Sequence, residues 1–262
     1  MEKIYTIRNL NQQQEHMWSA SGVEDEVSVC ALRHIEALFR RHLPKGEKIL
    51  EAGCGLGAWV IYLGERGYDI EGIDHDPRVI ERLREWRPSL PVAHGDICEL
   101  PYSDGTFGAY ISLGVMEHFE DGCDAAMAEA RRVLKPHGLL FFTVPLENAF
   151  RRVVAHPLRE AYLRWRRAKG DAIHFAEYRY TPAEVEALLR EHGFEPLLSE
   201  WDDFVPRDMS LGLWSDFPQL HGPVPYRLTA PGRAAAVALN AFSRWTAAAG
   251  VFCLGRKKGE AR

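Results

Sequence analysis

The sequence predicts an α/β fold, a mostly parallel seven-stranded sheet with helices on both faces. Three observations carry this prediction. Across residues 48–144 short apolar runs alternate with helical patterns, which is the order produced when crossover helices join parallel strands. The run Ile49-Leu50-Glu51-Ala52-Gly53-Cys54-Gly55-Leu56-Gly57-Ala58-Trp59 passes from a strand through a glycine-rich turn into a helix. Two further strand patterns close the chain. At 262 residues, with 46% hydrophobic and 26% charged residues, the composition suits one large α/β unit and not a disordered or disulfide-built chain.

In chain order, residues 24–43 come first, with Val27, Leu32, Ile35, Phe39 and Leu43 at roughly helical spacing, so one helix packed on the sheet is expected. Strands follow at 48–51, 69–73, 91–94, 109–113 and 139–144. Asp76 precedes Pro77 and a charged periodic segment reaching Trp86, which predicts an N-cap with proline at the first helical position. Residues 148–169 read as a basic helix with a break or kink at Pro157. Thr181-Pro182-Ala183-Glu184 opens another helix as a capping box, and Gly193 stops it. A strand at 195–201, an irregular Pro- and Trp-containing segment to Gly232, a small-residue helix and a last strand at 251–257 complete the chain. There is no internal repeat.

Charge and cysteine use narrow the function classes. The net charge is -5, which gives no general field to attract a polyanion. Nucleic acid is therefore not an expected partner. Residues 1–145 carry 15 Lys/Arg against 23 Asp/Glu, whereas residues 146–262 carry 17 against 14, so the acidity belongs to the first half. The five cysteines, Cys30, Cys54, Cys98, Cys123 and Cys253, are scattered and odd in number, which offers neither a CxxC metal pair nor a disulfide framework. With no signal-type apolar core in MEKIYTIRNLNQQQ and no uninterrupted apolar run of about 18 residues, a cytoplasmic protein without a membrane span is expected.

The glycine turn is open between ligands when taken alone. Gly53, Gly55 and Ala58 satisfy the G-x-G-x-x-G/A dinucleotide pattern, and Asp74 stands at about the twenty-residue offset of a ribose carboxylate. Glu51 separates the candidates, because it sits where a dinucleotide would place its pyrophosphate, and like charges in a crevice repel. A carboxylate there suits a cationic ligand.

On these residues the chain resembles the class I S-adenosylmethionine-dependent methyltransferases, whose fold is Rossmann-like. The resemblance implies that Glu51, Gly53, Cys54, Gly55 and Gly57 hold the methionine end of S-adenosylmethionine. It implies that Asp74 binds the ribose hydroxyls and His75 lies against the adenine. In Gly95-Asp96-Ile97, Asp96 would accept from the adenine amine and Ile97 would pack on the ring. The stretch Ser112-Leu113-Gly114-Val115-Met116-Glu117-His118 matches the fourth strand and its turn, with Leu113 at the cofactor. The segment around Arg132-Val133-Leu134-Lys135-Pro136 matches the approach to the fifth strand. The match covers about residues 47–145. It implies one domain, with an N-terminal helix and lid at 1–46, a cofactor core at 47–145, a lid insertion at 146–180 and the rest of the sheet at 181–262, interrupted by an insertion at 202–232.

The implied reaction is methyl transfer to an O, N or C atom of a small molecule, leaving S-adenosylhomocysteine and needing no metal. His118 is the candidate base. The segment His174-Phe175-Ala176-Glu177-Tyr178-Arg179-Tyr180 is a candidate substrate loop, with His174 and Tyr178 in catalysis and Tyr180 on the substrate. Tyr5, His16 and Trp18 would form a lid, and Trp214 would line an apolar pocket. The basic run from Arg151 to Lys169 carries seven Lys/Arg and one acid, Glu160. It reads as a cover for an acidic or amphiphilic acceptor and leaves room for peripheral lipid contact. The competing readings are a non-catalytic S-adenosylmethionine binder and a nicotinamide-dependent oxidoreductase. The second lacks a Tyr-x-x-x-Lys pair and meets the Glu51 conflict.

Overall fold

Strand β2 (Ile49–Ala52) runs through the middle of the molecule with all four residues buried. The computed structural model describes residues 1–9, 22–222, 224 and 226–259. Seven strands form the main sheet, in the order β4-β3-β2-β5-β6-β9-β8: β3 is Ile70–Asp74, β4 Val92–His94, β5 Phe107–Leu113, β6 Leu134–Pro145, β8 Phe194–Asp202 and β9 Gly250–Lys257. The pairs β2/β3, β3/β4, β2/β5 and β5/β6 are parallel, while β9 lies antiparallel between β6 and β8. This is the mostly parallel seven-stranded sheet that the sequence predicts. After β2 the chain builds outward to β4 and then returns to the other side of β2 to build β5. The order reverses between β2 and β5, which opens a crevice at their carboxyl ends.

Alternation along buried strands distributes side chains to two cores. Tyr110 and Phe142 pack with Met127, Ala130, Val185 and Leu189 of the helices Asp124–Val133 and Pro182–Glu191. Ala109, Ile111 and Phe141 face the other way, onto Ile35, Phe39 and Trp59 of the helices His34–His42 and Ala58–Gly64.

The local stop and start signals hold. Asp76 caps the helix Pro77–Trp86 by accepting from the Arg78 N–H at 2.9 Å, and Thr181 and Glu184 form the reciprocal capping box. Two expectations are corrected. Residues 24–43 form two helices, Val23–Cys30 and His34–His42. The break arises where the Leu32 carbonyl accepts from Val205 N–H, His34 N–H donates to the Asp203 carbonyl, and Arg33 pairs with Asp202. Pro157 does not interrupt its helix. The preceding turn, Arg151–Ala155, widens into a π-helical turn in which His156 N–H reaches the Arg151 carbonyl, and the α-helix His156–Ala168 continues from it. A wider turn separates the proline ring from the carbonyl it would otherwise strike. The turn leaves Val153 exposed, and the helix leaves Leu158 and Trp165 exposed.

A second, two-stranded sheet pairs β1 (Glu2–Thr6) antiparallel with β7 (His174–Arg179). Residues 174–179 are therefore a strand and not a loop. Beyond β8, the helices Leu211–Asp216 and Ala230–Phe242 enclose a small core of Leu213, Leu228, Ala236 and Ala247. Among the described residues no helix is long and apolar enough to cross a membrane.

Candidate functional site

The carboxyl ends of β2, β3, β5 and β6 open into one cavity of about 820 Å³, in the upper range for a site that encloses a drug-sized ligand. Its floor is the glycine turn. Gly53 has φ +80 and Gly55 has φ +50, a region that L side chains avoid. A Cβ on Gly53 would fall 2.5 Å from a methyl of Val115. The N–H groups of Gly53 and Cys54 both donate to the Ile73 carbonyl, at 2.8 and 3.0 Å, which ties the turn to the end of β3. Gly57, at φ +66, starts the helix Ala58–Gly64 and does not itself line the cavity.

Two buried carboxyl groups face this turn. Glu51 is 4% exposed and lines the cavity, and its Oε2 has no hydrogen-bond partner among the described residues. Burial pushes its pKa up to about 8, the Val60 backbone N–H opposes that rise, and the Asp74 charge adds to it. Desolvation that a single N–H does not offset produces this behaviour. Asp74 differs. Its Oδ2 accepts from Gly55 N–H at 2.8 Å and its Oδ1 from Asp76 N–H at 3.0 Å. Burial works to raise the Asp74 carboxyl, but His75 and these two N–H groups hold it below the usual value. It thus stays ionised at the end of β3. Cys54 is a buried thiol kept protonated by desolvation, packed where a Cβ on Gly72 would meet its sulfur.

His75, Asp96, Ile97 and Leu113 continue the same wall. The Asp96 side chain is also used locally, accepting from Cys98 N–H at 2.8 Å. Ten residues named from the sequence thus share the cavity: Glu51, Gly53, Cys54, Gly55, Asp74, His75, Asp96, Ile97, Leu113 and His118. His118 lies on the short helical turn Met116–His118. Its Nδ1 is 2.6 Å from the Ala176 carbonyl, and a carbonyl only accepts, so the neutral ring carries its proton on Nδ1 and leaves Nε2 as an acceptor. Beside it Glu117 is 3% exposed, with one oxygen unpartnered among the described residues. Burial pushes its pKa up to about 7, against the pull of His118.

The residues expected at the substrate fall elsewhere. Tyr178 is buried in the sheet core with its hydroxyl donating to the Glu120 carbonyl at 2.8 Å. Tyr180 belongs to the same core. In the small sheet His174 pairs with Thr6 and Tyr5 with Phe175, the Tyr5 ring edge-on to that of Phe175. None of these four lines the cavity. The period-two alternation of a strand explains the difference: between the core residues Tyr178 and Tyr180, the neighbours Glu177 and Arg179 face the cavity. Trp214 stacks on His221 at 3.9 Å within the small core, and it is Leu211, Gly212, Ser215 and Asp216 of its helix that reach the cavity. Trp18 and His16 lie outside the described residues.

Asp216, which no motif marks, also lines the cavity, as do four residues that the sequence picks out only within longer segments: Glu117 in the turn after the fourth strand, Arg151 at the head of the basic run, and Glu177 and Arg179 in the candidate substrate segment. Alternation read across residues 174–180 was the one signal that could have pointed to Glu177 and Arg179. Among the described residues no group of three His, Cys, Asp or Glu side chains is placed to hold a metal ion.

A family model described as a methyltransferase domain matches residues 25–199. A relative from Mycolicibacterium smegmatis, described as a probable S-adenosylmethionine-dependent methyltransferase, is 28% identical over 165 residues, which are 62% of this chain and 58% of that protein. The chain thus spans less than two thirds of that relative's length. Among solved structures, a chain of the complex between the Haloferax volcanii Trm112 methyltransferase activator and a methyltransferase superposes with a TM-score of 0.64 at 18% identity, covering 95% of this chain and 98% of that one. The 1,6-didemethyltoxoflavin-N1-methyltransferase of Burkholderia thailandensis, solved with 1,6-didemethyltoxoflavin and S-adenosylhomocysteine bound, gives 0.54 at 17% identity, covering 94% and 83%. At these identities the two structures show a shared fold.

Proposed function

Because this chain belongs to the family of S-adenosylmethionine-dependent methyltransferases, we propose that it transfers the methyl group of S-adenosylmethionine to an O, N or C atom of a small molecule. The observation that carries this reading is Glu51, a buried carboxyl with an unpartnered oxygen beside the glycine turn. That group suits an ammonium and repels a pyrophosphate. The small-molecule complex of the Burkholderia protein favours an acceptor of that size.

When bound, S-adenosylmethionine supplies an electrophilic methyl group on a sulfonium. Glu51 and the turn of Gly53, Cys54 and Gly55 hold the methionine end, Gly57 shapes the turn from behind, and Glu51 is ionised by the ammonium it faces. Asp74 accepts from the ribose hydroxyls, while His75, Asp96, Ile97 and Leu113 enclose the adenosine. The remaining segments, 1–46 and 146–262 with the insertion at 202–232, form the acceptor side. There His118 offers Nε2 to a proton of the acceptor, and Glu117 stabilises the imidazolium so formed. His174 and Tyr178 act as positioning residues, since they belong to the strand whose Ala176 carbonyl orients the His118 ring. Alignment of donor and acceptor and exclusion of water supply most of the acceleration in such a displacement.

Calorimetry with S-adenosylmethionine, S-adenosylhomocysteine and NADH tests the cofactor. The first two should bind, and Asp74→Ala should weaken them about 100-fold through the loss of charge-assisted hydrogen bonds; tight NADH binding would overturn the reading. Turnover is then sought as S-adenosylhomocysteine release across phenols, quinols, amines and carboxylates. Binding without turnover on any of them would favour a non-catalytic binder.

A further inference from the structure

The acceptor side of the cavity holds a buried guanidinium with an unfilled donor that methyl transfer does not use. Arg151 is 2% exposed and sits in the π-helical turn. Its Nε donates to Asp216 Oδ2 at 2.9 Å, its Nη2 lies where a Cβ on Gly212 would come within 2.8 Å, and its Nη1 has no hydrogen-bond partner among the described residues. Arg179, 4% exposed, is committed on two sides, to Glu177 Oε1 at 2.8 Å and to Asp216 Oδ1 at 2.7 Å. Arg159 approaches the same Asp216 oxygen at 3.6 Å. Three guanidinium groups thus share two carboxylates.

The nearby acids give this Nη1 no acceptor. Asp202 is occupied by a two-oxygen contact with Arg33. Glu147 is taken by Arg152 and His156. Asp203 offsets the Arg151 charge at a distance, but its oxygens are filled by the Phe204, Leu211 and Gly212 N–H groups and the Ser210 hydroxyl. A buried cation without a full set of acceptors is costly, and an anion that completes the set recovers that cost.

We propose that Arg151, backed by Arg179, binds a carboxylate on the methyl acceptor, so that the preferred substrates are small organic acids. The inference rests on the methyltransferase reading and names its substrate class. A Cβ on Gly212 would meet the Ala247 carbonyl at 2.1 Å as well as the guanidinium, so the backbone alone already requires glycine there. Planar, forked donors match a carboxylate better than a neutral amide.

The test compares 4-hydroxybenzoate, 4-aminobenzoate and hexanoate with their primary amides, by calorimetry on the full chain with and without saturating S-adenosylhomocysteine. At least one acid should bind about ten-fold or more tightly than its amide, the discrimination expected of one charge-assisted contact. Arg151→Gln should abolish that preference and Arg151→Lys should retain part of it, both with unchanged affinity for S-adenosylhomocysteine. Equal binding of acid and amide, no binding of any acid, or a preference that survives in Arg151→Gln overturns the proposal. The wild-type comparison decides the matter even if Arg151→Gln does not fold. Failure of S-adenosylhomocysteine itself to bind would instead remove the cofactor reading on which the proposal rests.

Discussion

Replacing Glu51 with Gln should stabilise the ligand-free protein while weakening its hold on the cofactor. The carboxyl has its usual pKa of 4.5 in the unfolded chain and about 8 when folded, because it is buried. Below pH 4.5 it is neutral in both states and contributes nothing. Between the two values the unfolded chain has released its proton and the folded protein has kept it, so stability falls as pH rises, by about 1.4 kcal/mol per pH unit. At pH 7 the accumulated cost is about 3 kcal/mol, and it levels off near about 5 kcal/mol above pH 8. Gln has the same shape and no proton to lose. Its amide leaves a donor without an acceptor, but so does the protonated carboxyl, and the two penalties offset. For a chain of this size, about 3 kcal/mol corresponds to a melting temperature roughly 6 °C higher at pH 7. Thermal melts of both proteins from pH 5.5 to 8.5 measure this, and the gap should widen with pH. S-adenosylhomocysteine affinity of the wild type should rise with pH toward about 8 as the ammonium finds an ionised partner, whereas the variant should bind weakly throughout. A gap that does not grow with pH would refute the desolvation argument, and undiminished affinity in Glu51→Gln would remove the carboxylate from cofactor binding.

Gly53→Ala should cost about 3 kcal/mol in urea unfolding, since it combines a left-handed backbone with a Cβ driven to 2.5 Å from Val115. Thr181→Ala should cost about 1 kcal/mol by removing one half of the capping box on Pro182–Glu191, while S-adenosylhomocysteine affinity stays unchanged. Once an acceptor is found, kcat/KM should decline below about pH 7, where Glu117 takes up a proton, and Glu117→Gln should displace that limb. A profile unaltered by Glu117→Gln would exclude Glu117 from proton transfer.

The half of the candidate site around the glycine turn was legible because its signals are local. Glu51, the glycine turn, Asp74 and the Asp76 cap each depend on a strand end and the few residues after it, so spacing along the chain is spacing in the molecule. The acceptor half is not local. Arg151 and Asp216 are 65 residues apart in sequence, and nothing near either one announces the other. Local periodicity also failed where tertiary contact outweighed it. The helix expected over residues 24–43 breaks at Arg33 because the segment after β8 offers Leu32, Arg33 and His34 stronger partners than another helical turn would.

The sequence by itself determined the succession of the main-sheet strands, the parallel core and the glycine turn at its centre, since strand alternation, glycine at positive φ and helix caps are properties of a few consecutive residues. Only the tertiary structure decided which side of β7 faces the cavity. Pairing with β1 and burial of Tyr178 and Tyr180 in the core fix that choice, and they turn Glu177 and Arg179 inward to meet Arg151 and Asp216. A strand has two faces, and its own sequence does not say which one the rest of the chain will cover.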